Sequence, residues 1–97
     1  MTRQEVLERI RLRDAEIRER FAVATLSLFG SASRDELRDD SDVDILVRFV
    51  GPATFRGYFG LKSFLEDLLQ CPVDLVNEKA LRPELRPYVE KDLLRVA

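Results

Sequence analysis

The chain has 97 residues, a mass of 11.2 kDa and 45% hydrophobic residues, which indicates one folded domain over residues 1–97 and excludes a disordered chain. Its net charge of −2 argues against a general nucleic-acid-binding protein, and no apolar run approaches the roughly 20 residues that a membrane span requires. With no histidine and a single cysteine, Cys71, the sequence excludes zinc sites, histidine-based catalytic triads and an internal disulfide, and it fits a reducing cytoplasm.

The N-terminal segment predicts a helix followed by a strand. Thr2 and Glu5 have the spacing of a capping box, in which the Thr2 hydroxyl accepts from the Glu5 amide and Glu5 reaches back. Four apolar residues then share one helical stripe, which predicts an amphipathic helix to about Arg20. They are Val6, Ile10, Ile17 and Phe21. The largely apolar residues 22–29 end at Gly30 and predict a mostly buried strand.

The middle of the chain predicts a polar connection, a second strand and a long helix. Residues 30–42 are polar and acidic, and we expect a turn, a short helix and a loop there. Apolar and polar residues alternate over 43–49, which predicts a strand whose odd-numbered residues face the core. Apolar residues at helical spacing predict a helix over about 55–69. Four aromatic residues lie in this helix, and we expect core packing of them rather than a role in an interface. They are Phe55, Tyr58, Phe59 and Phe64.

The C-terminal third predicts a short third strand over 73–76 and a last helix. Pro83 suits the first position of that helix, although Pro87 can shift its start to about Arg86. Its apolar face would consist of Leu85, Val89 and Leu93. The resulting element order, αβαβαβα, predicts an α/β fold in which helices cover at least one face of a small sheet.

The turn after the first strand is the first candidate site. Glycine lets a backbone approach a ligand closely, so the Gly30 and Ser31 amides and the Ser31 hydroxyl can face phosphate oxygens. Arg34 can add a planar cationic fork, and a helix beginning near Ser33 would point its positive end at the same place. Taken alone, these residues also suit an ordinary turn.

Acidic residues supply the other candidates. Asp42 and Asp44 are two apart where the second strand opens, so both carboxylates project to one face, where a divalent metal would neutralise their repulsion. Asp74 interrupts the apolar third strand and can join them if the two strands are adjacent. Three converging carboxylates can hold two magnesium ions. The alternative is an acidic loop at the first two positions and an exposed strand residue at the third.

Together, these segments resemble the signature of the nucleotidyltransferase superfamily related to DNA polymerase beta. Residues 28–34, 41–47 and 73–76 stand in family order, and ten residues separate Gly30-Ser31 from Asp42-Val43-Asp44. Over about residues 21–96 the chain resembles the minimal nucleotidyltransferases, the MNT antitoxins often encoded beside a HEPN-domain toxin. The resemblance implies a small α+β nucleotidyltransferase fold, with a mixed sheet of three to four strands flanked by helices.

The resemblance also implies a role for each candidate residue. Gly30 and Ser31 would hold the nucleotide triphosphate, and Arg34 would be a further phosphate contact. The acids that bind two Mg²⁺ ions and carry catalysis would be Asp42, Asp44 and Asp74, the last also helping to deprotonate the acceptor hydroxyl. Asp35 departs from the family pattern, in which glycine is common at this position. Its charge would either weaken nucleotide binding or face solvent.

The implied activity is transfer of AMP from ATP to a hydroxyl, with tyrosine as the expected acceptor, on a cognate HEPN toxin. Such an enzyme would neutralise the toxin in the cytoplasm, with no membrane partner and no direct nucleic-acid partner. One alternative is an antitoxin that binds and occludes its toxin without catalysis. Another is nucleotide transfer to a small molecule such as an aminoglycoside, which would need an additional substrate-binding domain.

Overall fold

Helices alternate with strands along most of the chain, and the computed structural model describes residues 1–96. In chain order the elements are α1 (Arg3–Leu12), α2 (Asp14–Phe21), β1 (Val23–Phe29), α3 (Gly30–Ser33), β2 (Val43–Phe49), α4 (Phe55–Leu69), β3 (Val73–Asn77), a 3-10 turn (Glu78–Ala80), α5 (Arg86–Glu90) and β4 (Leu94–Arg95). No helix in the described part of the chain has the length and apolar character needed to span a membrane.

The sheet is mixed, and its strands lie in the order β3-β2-β1-β4. β1 pairs antiparallel with β2 and with β4, whereas β2 and β3 run parallel, joined by the crossover helix α4. A parallel pair needs a crossover of this kind because its second strand must start again at the same end of the sheet. The mixed sheet with flanking helices confirms the predicted fold class.

One face of the sheet packs against α1, α2 and α4 and forms the core. The odd-numbered residues of β2 are buried there, as the alternation predicts, with Val43 1% exposed and Ile45 and Val47 fully buried. They meet apolar residues of all three helices, among them Ile10, Ile17, Leu61 and Leu65, each fully buried. Burial of this stripe drives the fold and leaves the even-numbered residues of β2 on the opposite face.

The first helix is divided, which corrects the prediction of one helix to about Arg20. Arg13 has φ −111° and ψ 13°, so it ends α1 and precedes α2. After this break the Arg18 guanidinium binds both the Asp14 carboxylate, at 2.8 Å, and the Ala24 carbonyl, at 2.6 Å, which ties α2 to β1. No glycine or proline marks the break, and the apolar spacing continues across it, so periodicity alone gave no sign of it.

The C-terminal segment also differs from the prediction. The last helix covers only Arg86–Glu90, and the chain then turns to form β4, a strand that the predicted order lacked. Leu93 therefore lies outside the helix and is 40% exposed, while Val96 is buried and its amide donates to the Leu26 carbonyl at 2.8 Å. Pairing with the edge of β1 satisfies backbone groups that would otherwise lack partners, and this outweighs one more helical turn.

The aromatic residues of α4 divide between core and surface. Phe64 is half-buried against Phe21, with ring centroids 5.5 Å apart, and the Tyr58 hydroxyl donates to the Leu75 carbonyl of β3. The rings of Phe55 and Phe59 contact each other at a tilt of 46°, with centroids 4.6 Å apart, but the two residues are 80% and 46% exposed. The expectation of core packing is therefore wrong for these last two side chains, which lie on the solvent side of the helix.

Asp35 is exposed to solvent, in agreement with one of the two expectations for it, and its carboxylate also caps the first helix. Its Oδ1 accepts from the Arg3 amide at 2.8 Å, and the Arg3 guanidinium donates to the Ser33 carbonyl at 3.0 Å. The carboxylate thus lies at the positive end of α1, where a negative charge is favourable. Asp35 also has φ +58°, a left-handed conformation that glycine adopts without strain.

We predict that Asp35→Ala lowers the free energy of unfolding by about 1–2 kcal/mol, because alanine loses the cap and disfavours positive φ. Asp35→Gly loses the same cap but accepts the backbone conformation, so its cost should be about 0.5 kcal/mol. Urea unfolding followed by circular dichroism measures both variants. Equal losses would contradict the role assigned to the backbone conformation.

Candidate active site

The sheet register brings three of the candidate segments to one place. Phe29, the last residue of β1, pairs with Asp44 of β2, and Asp44 pairs on its other side with Asp74 of β3. The chain turns at Gly30 directly after this row. Residues paired across adjacent strands project to the same face, so Asp44 and Asp74 are neighbours and the Gly30 turn lies beside them. The second and third strands are therefore adjacent, which is the condition under which Asp74 can join the other acids.

Gly30 lies directly against the central carboxylate. A Cβ atom at this position would stand 2.4 Å from Asp44 Oδ2, and the residue has φ +63°. Any side chain here would both clash with the carboxylate and strain the backbone, so only glycine lets the turn approach so closely. The Ser33 hydroxyl donates to the Gly30 carbonyl at 2.9 Å, and the Glu36 amide donates to the Ser31 carbonyl at 2.8 Å, which closes the turn.

The short helix after β1 starts earlier than expected. α3 covers Gly30–Ser33, whereas the sequence suggested a helix beginning near Ser33. Ser33 is therefore the last residue of the helix, and it is 7% exposed. Ser31 is half-buried in the first turn, next to Gly30. The hydroxyl that closes the turn is that of Ser33, a role that the sequence analysis did not assign to it.

The three acids form a concentration of negative charge centred on Asp44. Asp42 is exposed just before β2, Asp44 is half-buried within the strand, and Asp74 is exposed on β3. Burial, the charges of Asp74 and Asp42, and a hydrogen bond with Asp74 raise the pKa of Asp44 to about 6, against a small opposing effect of Arg34. The cations of the protein therefore do not neutralise this cluster, and in their absence a proton does so.

The acids suit a hard divalent cation in donor type and in charge. Within residues 1–96 no three acidic, cysteine or histidine side chains are arranged as a ready-made metal cage. Mg²⁺ does not require such a cage, because proteins commonly bind it through one or two carboxylates together with substrate phosphates and water. A carboxylate pair that takes up a proton when no cation is bound fits this mode.

Arg34 is held by two carboxylates. Its Nη1 lies 2.9 Å from Asp92 Oδ2, and its Nε lies 3.4 Å from Glu36 Oε1. The hydrogen bond with Asp92 raises the pKa of Arg34. The positive charge of Arg34 in turn opposes the rise in the pKa of Asp44. Asp92 is a site neighbour that the sequence analysis missed, since nothing in its local sequence connects it with a residue so far away along the chain.

A groove of about 400 Å³ opens beside Asp74, on the side of the C-terminal segment. Its walls are mostly apolar and include Phe29, Val76, Leu81, Leu85, Tyr88 and Val89. Leu85 and Tyr88 are 48% and 78% exposed, so the groove presents apolar side chains to solvent next to an acidic one. Leu85 was expected on the apolar face of a helix, and nothing in the local sequence predicts the groove.

We predict that Gly30→Ala lowers the free energy of unfolding by about 2–3 kcal/mol, because the methyl group adds a clash with Asp44 to the cost of positive φ. Gly51→Ala is the matched control: Gly51 has φ +75°, but a Cβ atom there would meet nothing within 4 Å. Its loss should be about 1 kcal/mol. Urea unfolding of both variants measures the difference, and equal losses would exclude the contact with Asp44 as its cause.

We predict that Asp44→Asn stabilises the metal-free protein at pH 8 by about 1 kcal/mol, after allowance for solvent screening of a half-exposed carboxyl. A pKa raised from 3.8 to about 6 means that the folded state binds its proton more tightly than the unfolded state does. Stability is therefore lost as pH rises from about 4 to about 6 and stays reduced above that range.

Urea unfolding in EDTA at pH 4 and at pH 8 measures this effect. At pH 4 the folded wild-type carboxyl is already neutral, so the variant should gain little there. Asp67→Asn, on the exposed side of α4, removes the same charge away from the cluster and should change stability little at either pH. A pH-independent gain in Asp44→Asn would contradict the assigned repulsion.

Comparison with known proteins identifies the family of the chain. The nucleotidyltransferase domain family matches residues 11–96. Protein adenylyltransferase MntA of Thermococcus cleftensis is 35% identical over 96 residues, which cover 99% of this chain and 97% of that protein. A solved structure described provisionally as a minimal nucleotidyltransferase superimposes with a TM-score of 0.74 at 37% identity, over 91% of this chain and 93% of the other.

A more distant structure shares the fold. In a Shewanella oneidensis complex of a tri-AMPylated HEPN toxin with an MNT antitoxin, one chain matches with a TM-score of 0.69 at 20% identity, over 98% of this chain and 71% of that one. The domain match spans residues 11–96, which is most of the sequence. The chain belongs to the nucleotidyltransferase domain family, as an enzyme whose homologues are protein adenylyltransferases.

Proposed function

We propose that this chain is a magnesium-dependent antitoxin that transfers AMP from ATP to a tyrosine hydroxyl of a cognate HEPN toxin in the cytoplasm. The observation that carries the proposal is the contact of the Gly30 turn with Asp44, in register with Asp74. The turn and two carboxylates therefore lie within one small volume, an arrangement that suits a phosphate group and its cation. The name of the Thermococcus relative and the AMPylated toxin in the Shewanella complex support a protein as the acceptor.

The triphosphate would bind at the turn. The Gly30 and Ser31 amides and the Ser31 hydroxyl donate to its oxygens, and Arg34 adds a cationic contact. Mg²⁺ would be held by Asp42, Asp44 and Asp74. When bound, it neutralises charge on the phosphates and activates the attacking oxygen. A proton on Asp44 would compete with this arrangement, so the ionised carboxylate is the form that binds nucleotide with its cation.

Asp74 would act on the acceptor. It is exposed at the mouth of the apolar groove, where a hydroxyl-bearing segment of another protein can reach it. The acceptor oxygen attacks the α-phosphorus, its proton passes to the Asp74 carboxylate, and the bond to the β-phosphate breaks to release pyrophosphate. The exposed side chains of Leu85 and Tyr88 would pack against apolar residues of the acceptor, since docking buries their surface.

The second candidate function is occlusion without catalysis. The same groove favours it, because an exposed apolar surface can bind a partner whether or not the acids turn over a nucleotide. Transfer to a small molecule has less support: the groove is open to solvent, and nothing among residues 1–96 encloses a free acceptor as an additional domain would.

We predict that the Asp42→Asn/Asp44→Asn variant loses AMP transfer by at least about 100-fold, because isosteric amides cannot hold the cation. Intact-mass spectrometry measures AMP units added to a HEPN-domain protein encoded beside this chain, after incubation with ATP and Mg²⁺. The matched control is Asp39→Asn/Asp40→Asn, which removes two exposed charges just upstream and should transfer at the wild-type rate.

Three outcomes separate the functions. AMP addition by wild type and control, lost in the Asp42/Asp44 variant, supports the enzyme. A partner that gains no mass but co-purifies with wild type and variant alike supports occlusion and overturns the catalytic proposal. A partner that is neither modified nor bound contradicts both. Replacing each tyrosine of the modified partner with phenylalanine then tests the tyrosine assignment.

A further inference from the structure

The guanidinium of Arg34 is joined to a residue from the far end of the described sequence. Arg34 Nη1 donates to Asp92 Oδ2 at 2.9 Å, while Nε is 3.4 Å from the Glu36 carboxylate. The Asp92 side chain is 27% exposed and that of Glu36 is 61% exposed. Asp92 is thus closer to Arg34 and less exposed to solvent than Glu36, which is a surface residue close to Arg34 in sequence.

The position of Asp92 is fixed by strand pairing. It lies between α5 and β4, and β4 pairs with β1 through Leu94 with Leu28 and Arg95 with Ser27. The next residue, Val96, is buried and bonds back to β1. Asp92 is therefore anchored alongside the strand that leads into the Gly30 turn, with Arg34 one short helix further along.

An arginine held in this way is prepared for a phosphate. The side chain of Arg34 is 42% exposed, and a free arginine loses about 2 kcal/mol of rotamer entropy when a ligand orders it. A guanidinium has five N–H donors, and the two carboxylates engage Nη1 and Nε, so further donors can meet an anion. An exposed ion pair contributes at most about 1 kcal/mol, which is too little to compete with a triphosphate for the arginine.

We propose that Asp92 is a positioning residue for nucleotide binding: it holds the Arg34 guanidinium beside the Gly30–Ser31 turn, ready to meet the triphosphate. This rests on the proposed use of ATP as the donor. It assigns the C-terminal strand β4 a part in the site, because β4 sets the position of Asp92. Asp92 itself touches neither the nucleotide nor the acceptor.

Isothermal titration of the full chain with ATP and Mg²⁺ tests the proposal in wild type, Arg34→Ala, Asp92→Asn and the double variant. Asp92→Asn should weaken binding about threefold to fivefold, and Arg34→Ala should weaken it at least as much. The double variant should bind like Arg34→Ala alone, since Asp92 acts only through the arginine. In the transfer assay, Asp92→Asn should raise the KM for ATP and leave kcat within about twofold.

The sign of the effect separates positioning from simple electrostatics. Removing a negative charge near a triphosphate should by itself strengthen binding, and Asp40→Asn, the matched control at an exposed position just before Asp42, should bind ATP as well as wild type or slightly better. Asp92→Asn should do the opposite. Asp92→Glu, which keeps the carboxylate, should restore binding to within about twofold of wild type. Thermal unfolding of each variant checks that the titrated protein is folded.

Each failure has a distinct meaning. If wild type does not bind ATP, the proposed function itself is wrong. If wild type binds ATP but Asp92→Asn binds equally or more tightly, Asp92 does not position Arg34 and the inference is overturned. Additive losses in the double variant, or failure of Asp92→Glu to recover when both Asp92 variants are folded, would also overturn it. Loss of kcat with an unchanged KM would contradict it as well.

Discussion

The candidate site depends on one close approach, that of the Gly30 backbone to the Asp44 carboxylate. A Cβ atom at residue 30 would stand 2.4 Å from Asp44 Oδ2, so the end of β1 and the start of β2 can meet only where glycine turns the chain. The antiparallel register of β1 with β2 sets this meeting, and the parallel register of β2 with β3 adds Asp74 to it. The core on the other face fixes both registers, because a slip of one residue would bring Asp44 into the apolar interior.

The carboxylates of Asp42, Asp44 and Asp74 repel one another at this site. Burial and neighbouring acids raise the pKa of Asp44 to about 6, and the opposing charge of Arg34 is too weak to offset them. A protein selected only for stability would place an amide or an apolar residue there. Acids at this position lower the stability of the folded chain when no cation is bound, as expected of residues that serve ligand binding rather than packing. Arg34 is the basic residue whose charge acts on Asp44, and it also forms ion pairs with Asp92 and Glu36.

The fold and site were predictable from sequence where the signal is local. Alternation in β2 and helical spacing in α4 reflect burial on one face, and the structure places both elements at the predicted residues. The glycine turn and the acids were identified because chemistry demands particular residue types there. The division at Arg13, the two-residue strand β4 and the pairing of Arg34 with Asp92 were not predictable, because each depends on contacts between distant segments that leave no period or motif in the sequence.

The contacts of α3 and Arg34 with segments near both ends of the described chain affect how the protein folds during synthesis. Arg3 binds the last residue of this four-residue helix and Asp92 binds the arginine that follows it, so both contacts form only after the flanking segments of the described chain have docked. A helix so short is not stable by itself. Contacts between residues this far apart form late, because their loop must close first. On the ribosome, the Gly30 turn would therefore lack the contact from Asp92 until residues 92–96 emerge, and this part of the fold would reach its full stability only after synthesis had passed that point.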